Sequence, residues 1–365
     1  MYDFSKEISR FHSDCVRLTN SQRADMRQKR ETNLTRIKSG LADLDKPEVL
    51  EVINQGGYAQ RTMTQPPEAD QESRYDIDLG VVFAEDDAAG AKTTRNWVRD
   101  AIACKATNMK NDPETKMKCV RVIYADGYQC DFPVFRRRET DNGWQYELSA
   151  GEAWVASDPR AMNTWIDAQV SQKSPETSGS FQLRRIIRMG KFYSKSHASR
   201  LNRKFPNGLV ATAIFIDAYV PIEGRDDDAF RQTLRAIANR SKHDAVYANG
   251  IQVSDEKDID RAGRLITEAA ASVNELDQLD AHEATETDAR KAWKKVFLHS
   301  AFNNGVKEAF ASLEKSSAVG GGAALATPFI ASEAVAALSD AERVERMEAS
   351  VTARKESGGG KPWSS

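Results

Sequence analysis

Apolar residues recur along this chain in two rhythms, and the place where one gives way to the other divides it. Over residues 5–18, Ile8, Phe11, Cys15 and Leu18 fall three and four apart, which predicts a first helix. Thr19 followed three places on by Gln22 has the form of a capping box. A second, longer helix is therefore expected to run to about Leu44. Its stretch from Gln22 to Lys38 is mostly polar, leaving one narrow apolar face to pack along the back of a domain. Residues 49–54 are short and β-rich and lead into a Gly56-Gly57 turn. A polar loop at 65–73 precedes the clearest strand, residues 75–83, where apolar and acidic positions alternate at its start. A helix is expected at 91–106 around Trp97, Val98 and Ile102, then a strand at 119–124. Ala125-Asp-Gly127 reads as a turn, with Asp126 a turn residue only, before a return strand at 128–134 and another at 144–148. Strands with so few intervening helices fit a mixed sheet better than a doubly wound one.

Near residue 157 the rhythm becomes helical. Ser157-Asp-Pro-Arg160 offers an N-cap with proline close to the first helical position. Helices are expected at 159–171, 180–194, 207–220, 227–241, 257–277 and 286–313. The expected fold class is thus α+β. A sheet domain with N-terminal helices would occupy 1–156, and a helical domain packed on it would occupy 157–313, with a cleft between. From 314 the pattern decays into a flexible tail. Ser, Gly and Ala dominate 316–324, an alanine-rich helix is expected over 331–350, and the Gly-rich end at 356–365 reads as disordered.

Composition narrows the function classes. The 365 residues suit about two domains. A net charge of −2 lacks the basic surplus of proteins that coat long nucleic acid, so small free nucleotides fit better as substrates. No apolar run reaches the roughly 18 residues of a membrane span, and the N-terminus lacks the pattern of a secretory signal. A cytoplasmic protein away from membranes is expected. The four cysteines form no CxxC pair, and Cys119 and Cys130 read as small core residues in a reducing compartment. The five scattered histidines and the lack of a GxSxG elbow argue against zinc chemistry and a Ser-His-Asp hydrolase.

The chemistry concentrates in three carboxylates. Asp76 and Asp78 lie two apart on the predicted strand, so their side chains share a face about 7 Å apart at the Cα atoms, while Ile77 and Leu79 point to a core. Asp131 shares a face with Gln129 on the return strand, and would confront the first two if the strands are neighbours. Three acids on one face repel unless cations intervene. Oxygen ligands suit two Mg²⁺ or Mn²⁺ ions, the pair about 4 Å apart that in-line displacement of pyrophosphate uses. Isolated, such a pair of acids is more often a solvated sheet face; the surrounding pattern lends it weight. Gly56 and Gly57 permit a tight turn whose N–H groups could cradle phosphate, with Arg61 and Thr62 reinforcing them. No GK[ST] follows, so this is no Walker loop. Further on, Leu183, Ile186 and Ile187 form an inward stripe, whereas Arg184, Arg188 and Lys191 occupy a flank that could face a triphosphate across the cleft. A solvated helix face is the plainer reading of each. Tyr193 and Tyr219 could stack a base or simply pack in a core.

Gln55-Gly-Gly-Tyr58, Thr62, Tyr75-Asp-Ile-Asp-Leu-Gly80 and Cys130-Asp-Phe-Pro133 resemble the polymerase-β-like nucleotidyltransferase core, and more closely the bacterial cGAS/DncV-like nucleotidyltransferases. The segments 182–193, 205–213 and 292–297 resemble later parts of that family, so the likeness covers about residues 5–313. It implies that Asp76, Asp78 and Asp131 are the metal-binding catalytic triad and that Gly56-Gly57 is the phosphate turn. Many members carry Gly-Ser there; in this chain the hydroxyl is absent. The resemblance also implies a function: joining ATP and other NTPs into a cyclic di- or trinucleotide that activates a downstream effector in antiphage signalling, with a regulatory protein as a further possible partner. Two other readings stand beside it: nucleotidyl transfer to a protein or RNA acceptor, and a non-catalytic nucleotide-binding scaffold.

Overall fold

The computed structural model describes residues 1–70, 76–107, 109–125, 127–141 and 143–304. Tyr75 at the start of the expected strand, Asp126 in the expected turn, and everything foreseen beyond 304 (the end of the 286–313 helix, the tail and the 331–350 helix) lie outside them.

The chain opens with α1 (Ser5–Phe11), which continues as a π-helical turn over His12–Val16. Thr19 then caps α2 (Asn20–Asp43) through the reciprocal bonds of a capping box with Gln22. Strand β1 (Glu51–Gln55) runs straight into a single helical turn, α3 (Gly56–Ala59). Next come β2 (Asp76–Ala84), α4 (Ala91–Lys105), β3 (Glu114–Thr115), β4 (Cys119–Ile123), β5 (Gln129–Thr140), β6 (Gly143–Ala150) and β7 (Ala153–Ala156). The strands make one mixed sheet in the order β1-β2-β5-β4-β3, with β6 joined to the far half of β5 and β7 to β6. Only the β2–β5 pairing is parallel among the described strands.

Side-chain alternation gives the sheet two different faces. Ile77, Leu79, Val81 and Phe83 of β2 pack with Val98, Ala101 and Ile102 of α4 and with Met26, Ile37 and Leu41 of α2. Each fully buried Val, Leu, Ile, Phe or Met among these is worth about 1.5–3 kcal/mol. Gly40 of α2 makes the helix crossing possible: a Cβ there would lie 2.7 Å from the Ala101 carbonyl carbon. The opposite face carries Asp76 and Asp78 at one end. Further along it a small cluster of Ile53, Val82 and Phe135 closes the sheet.

The helical half comprises α5 (Ala161–Lys173), α6 (Gln182–Leu201), α7 (Gly208–Ala218), α8 (Asp226–Ala238), the hairpin β8 (Tyr247–Ala248) and β9 (Ile251–Gln252), α9 (Glu256–Asp277), α10 (Glu286–Phe297) and α11 (Ala301–Asn304). Helix α7 is apolar nearly all round and runs through its centre. Phe192, Phe215, Phe230, Trp293 and Phe297 fill the core around it. Phe4, Ile8 and Phe11 of the N-terminal segment join this core and not the sheet's, and the Tyr2 N–H donates to the Leu279 carbonyl. The first helix thus packs away from the sheet domain it was expected to accompany.

Three other expectations, all helix bounds, need correction, and one open alternative closes. Helix α5 starts at Ala161, two residues late, and Arg160 caps it without a side-chain bond; Asp158 instead accepts from the Arg160 N–H. The expected 286–313 helix breaks at Leu298, whose left-handed backbone (φ 55°) ends α10. Tyr193 and Tyr219 are core residues: their hydroxyls bond Ser272 and Gln182, which leaves neither free to stack a base. Helix α6 runs seven residues beyond its expected end. Among the described residues no helix is long and apolar enough to cross a membrane.

Candidate functional site

Strand pairing brings the acids together. Parallel register sets Asp78 directly beside Asp131, and Asp76 beside Gln129. On the other side of β2, the antiparallel register sets Gln55 beside Asp78. The chain therefore enters the glycine turn at the level of the middle carboxylate. Gly56 adopts φ +59°, and a Cβ there would overlap the Asp78 carboxylate, lying 2.9 Å from its Cγ. Only glycine lets the turn lie against that acid.

A cavity of about 530 Å³ opens at this edge, between the sheet and the helices. Its sheet wall contains Gln55, Gly56, Gly57, Asp76 and Asp78. Its helical wall contains Lys191 and Lys195 of α6, Met162 and Asn163 of α5, and Gly208 at the start of α7. The two lysines are four residues apart on one stripe of α6. The Lys191 ammonium donates to Thr62 Oγ1 (3.2 Å) and the Lys195 ammonium to Thr64 Oγ1 (3.3 Å).

The electrostatics show an acid wall facing a basic one. Asp78 is pushed up to about 7, first by desolvation, then by repulsion from Asp76 and Asp131, against the pull of Lys191 and Arg121. Asp76 is raised for the same leading cause, although its outer flank meets solvent. Lys191 is lowered to about 7 by desolvation and by Lys195, with Asp78 opposing. Lys195 is exposed over its side chain as a whole, yet desolvation at its ammonium lowers it too, opposed by Asp76 and Asp70. Acids raised and lysines lowered in the same cleft indicate a site prepared for charged ligands.

The third carboxylate is already engaged. Arg121 of β4, opposite Asp131 in register, donates Nε to Oδ1 (2.8 Å) and Nη2 to Oδ2 (2.7 Å). Among the described residues no three His, Cys, Asp or Glu side chains converge as a metal site. The donor set nonetheless fits a hard divalent cation. It offers only carboxylate oxygens, with Asp78 in register beside Asp131, and Asp76 and Asp78 are raised first by desolvation and then by repulsion among the acids.

The other residues singled out from the sequence divide. Gly57 lines the cavity, and a Cβ there would stand 3.2 Å from Lys191 Nζ. The lysine thus occupies the neighbourhood of the missing serine. Thr62 is buried behind the turn, its N–H donating to the Gly57 carbonyl. Arg61 turns its side chain outward at φ +57° and offers its carbonyl to Arg188 Nε (2.8 Å). Arg184 bonds Asp167 (2.7 Å) beneath the Phe181 ring. Arg61, Arg184 and Arg188 are absent from the cavity lining. Seven residues of helix carry Arg184 about 10 Å along the axis from Lys191, so a shared stripe does not give a shared depth.

Sequence reasoning missed Lys195, Arg121 and the amides Gln60 and Asn163, which bond each other across the cleft (3.3 Å). Lys195 was signalled by its i+4 relation to Lys191. Arg121 shows only once the strand at 119–123 is aligned with the one that follows, which puts it opposite Asp131.

Comparison with known proteins agrees with this geometry. Residues 50–135 match the family described as "Cyclic GMP-AMP synthase DncV-like, nucleotidyltransferase domain". A cyclic GMP-AMP synthase of Escherichia albertii is 25% identical over 206 residues, which are 55% of this chain and 44% of that protein. The chain thus spans under half the length of the curated relative it matches. Among solved structures, Vibrio cholerae DncV in complex with nonhydrolyzable GTP superposes with a TM-score of 0.63 at 13% identity, covering 81% of this chain and 96% of that one. The same enzyme in complex with the linear intermediate 5′ pppA(3′,5′)pG gives 0.61, also at 13% identity and with the same coverage. The likeness to these structures is one of fold: a mixed sheet and a helical region in two lobes.

Proposed function

We propose that this chain, a member of the DncV-like nucleotidyltransferase family, joins nucleoside triphosphates, ATP among them, into a cyclic di- or trinucleotide. The observation that carries the reading is the register of three adjacent strands. It aligns Gln55, Asp78 and Asp131 in one row, with Asp76 two residues from Asp78 and the glycine turn closing over it. All of these residues fall within the matched segment 50–135.

In this reading Asp76, Asp78 and Asp131 hold two divalent cations, Mg²⁺ or Mn²⁺. When bound, these ions neutralise phosphate charge and acidify the attacking hydroxyl. The protein's own share is positioning. Backbone N–H groups at Gly56 and Gly57 approach the phosphates closely because neither residue has a side chain. Lys191 and Lys195 present two ammonium groups from the opposite wall, one turn of α6 apart, to a triphosphate lying between strand and helix. The acceptor hydroxyl oxygen bonds to the α-phosphorus of the donor. The bond from that phosphorus to pyrophosphate breaks, and the hydroxyl proton passes to a carboxylate or to solvent. A second transfer between the ends of the linear product closes the ring. We place the working division near residue 156, with the catalytic lobe before it, α1 excepted, and the helical lobe after it. Through its product the enzyme would activate an effector in antiphage signalling.

The test is mass spectrometry of products from purified protein, Mg²⁺ and all four NTPs. Phosphatase-resistant cyclic products are expected. They should vanish in an Asp76→Asn, Asp78→Asn variant that keeps the wild-type circular dichroism spectrum. Nucleotide label appearing on protein or added RNA, with no cyclic species, would overturn the proposal in favour of another acceptor.

A further inference from the structure

The row that aligns Gln55, Asp78 and Asp131 does not end at Asp131. Beyond it, in register, stand Arg121 on β4 and Glu114 on β3. Arg121 therefore has a carboxylate on each side, each one strand away, a spacing of about 4.8 Å at the backbone. It is clasped to the inner one, Asp131, by both of that residue's oxygens. The outer one, Glu114, is exposed and bonded to Lys116. Val120 and Val122 on either side of Arg121 are buried on the opposite face, which fixes the strand and leaves the arginine side chain as the part able to move. That side chain is 35% exposed while Asp131 is 13% exposed, so the arm has an open solvent route and its inner partner a narrow one.

We propose that Arg121 is a positioning residue with two seats. On Asp131 it withholds the third carboxylate from divalent cations; on Glu114 it releases that carboxylate. This inference rests on the reading of Asp76, Asp78 and Asp131 as the metal site. The physics is competition for one carboxylate. A bidentate guanidinium and a divalent cation cannot share the same two oxygens, and their charges repel at that distance. An alternative anion one strand outward lowers the cost of letting go. A free protein would therefore hold its metal weakly, and the site would complete itself only when the clasp opens.

The test is Mn²⁺ binding without nucleotide, read by electron paramagnetic resonance of free Mn²⁺ and by calorimetry. Arg121→Gln should tighten binding about tenfold, within the usual range of coupling between linked sites. Arg121→Lys, which keeps the charge but loses the fork, should fall between. Glu114→Gln should act in the opposite direction, weakening binding about threefold as expected for an exposed pair. In the Arg121→Gln background, Glu114→Gln should have no further effect. Charge removal beside the site gives the first two signs by electrostatics alone, so the loss of the Glu114→Gln effect in the Arg121→Gln background is what decides. Unchanged affinity in Arg121→Gln, or a Glu114→Gln effect that persists without Arg121, would overturn the proposal. Should Arg121→Gln fail to fold, wild-type affinity in Glu114→Gln overturns it alone. Failure of the underlying reading looks different: Asp76→Asn, Asp78→Asn protein would then bind Mn²⁺ as well as wild type.

Discussion

Gly56 shows how tightly one residue can be constrained by another twenty-two positions away. Its φ of +59° already disfavours any side chain, at a cost of roughly 1–2 kcal/mol for an alanine. The added methyl would also overlap the Asp78 carboxylate. Gly56→Ala should therefore displace Asp78 or the turn, and kcat should drop about 100-fold, the usual consequence of a misplacement near 1 Å. Steady-state kinetics beside a thermal melt would check it; a wild-type kcat would remove the turn from the mechanism. Gly57 has negative φ and meets only Met63 and the flexible tip of Lys191, so no such penalty applies there. From the sequence the two glycines differed only in the hydroxyl that is absent at Gly57. What distinguishes them is the strand register, which puts Asp78 against the first and not the second. The same register explains why Asp76, Asp78 and Asp131 were legible while Arg121 was not. Acids two apart announce a shared face, but an arginine opposite one of them becomes visible only once two strands are aligned.

Helix α6 carries Lys191 and Lys195 at the depth of the acids, and its placement depends on Gly190. A Cβ at that position would lie 2.6 Å from Phe215 Cδ2, so the close contact of α6 with α7 requires glycine. Gly190→Ala should overpack this contact and cost about 1–3 kcal/mol. A urea titration would measure it. Because Lys191 is the next residue, KM for NTP should rise as well; stability unchanged to within error would refute the packing argument. At this scale the sequence was informative where local chemistry sets an element. Thr19 and Gln22 fixed the start of α2, and the alternation at 76–79 fixed β2. It was silent where tertiary contacts decide. The run from Lys195 to Leu201 stays helical because His197 is held by Glu268 and the Val296 carbonyl, partners 71 and 99 residues away. Leu298 ends α10 without any glycine to announce it. The two-residue strands β3 and β8 are too short for a period to show.

The two lobes meet through a polar strut, and the cleft depends on it. Glu51 on the outer strand accepts bonds from Arg137, from the Tyr146 hydroxyl and from Arg160, the residue that leads into α5. Arg160 also donates to Tyr146 (2.8 Å) and lies over its ring. Two weaker ties run in parallel, from Gln55 to the Pro159 carbonyl and from Asn163 to the Asn54 carbonyl. These are the contacts that hold the wall containing Met162 and Asn163 against the wall containing Gln55 and Gly56. Glu51→Gln keeps the volume but removes the charge that two arginines share. Glu51 is partly buried, 23% exposed, so the loss should cost about 1–3 kcal/mol, the scale for a hydrogen bond to a charged group left without its partner. Its signature lies in the kinetics. Loosening α5 weakens ground-state and transition-state binding alike, so KM should rise while kcat stays near wild type. Glu147→Gln is the matched control. Glu147 also pairs with an arginine, Arg136 (2.6 Å), but it touches only the sheet. It should lower stability without raising KM. If both variants raise KM equally, the strut does not set the cleft, and the walls must be held by the remaining amide ties and apolar contacts.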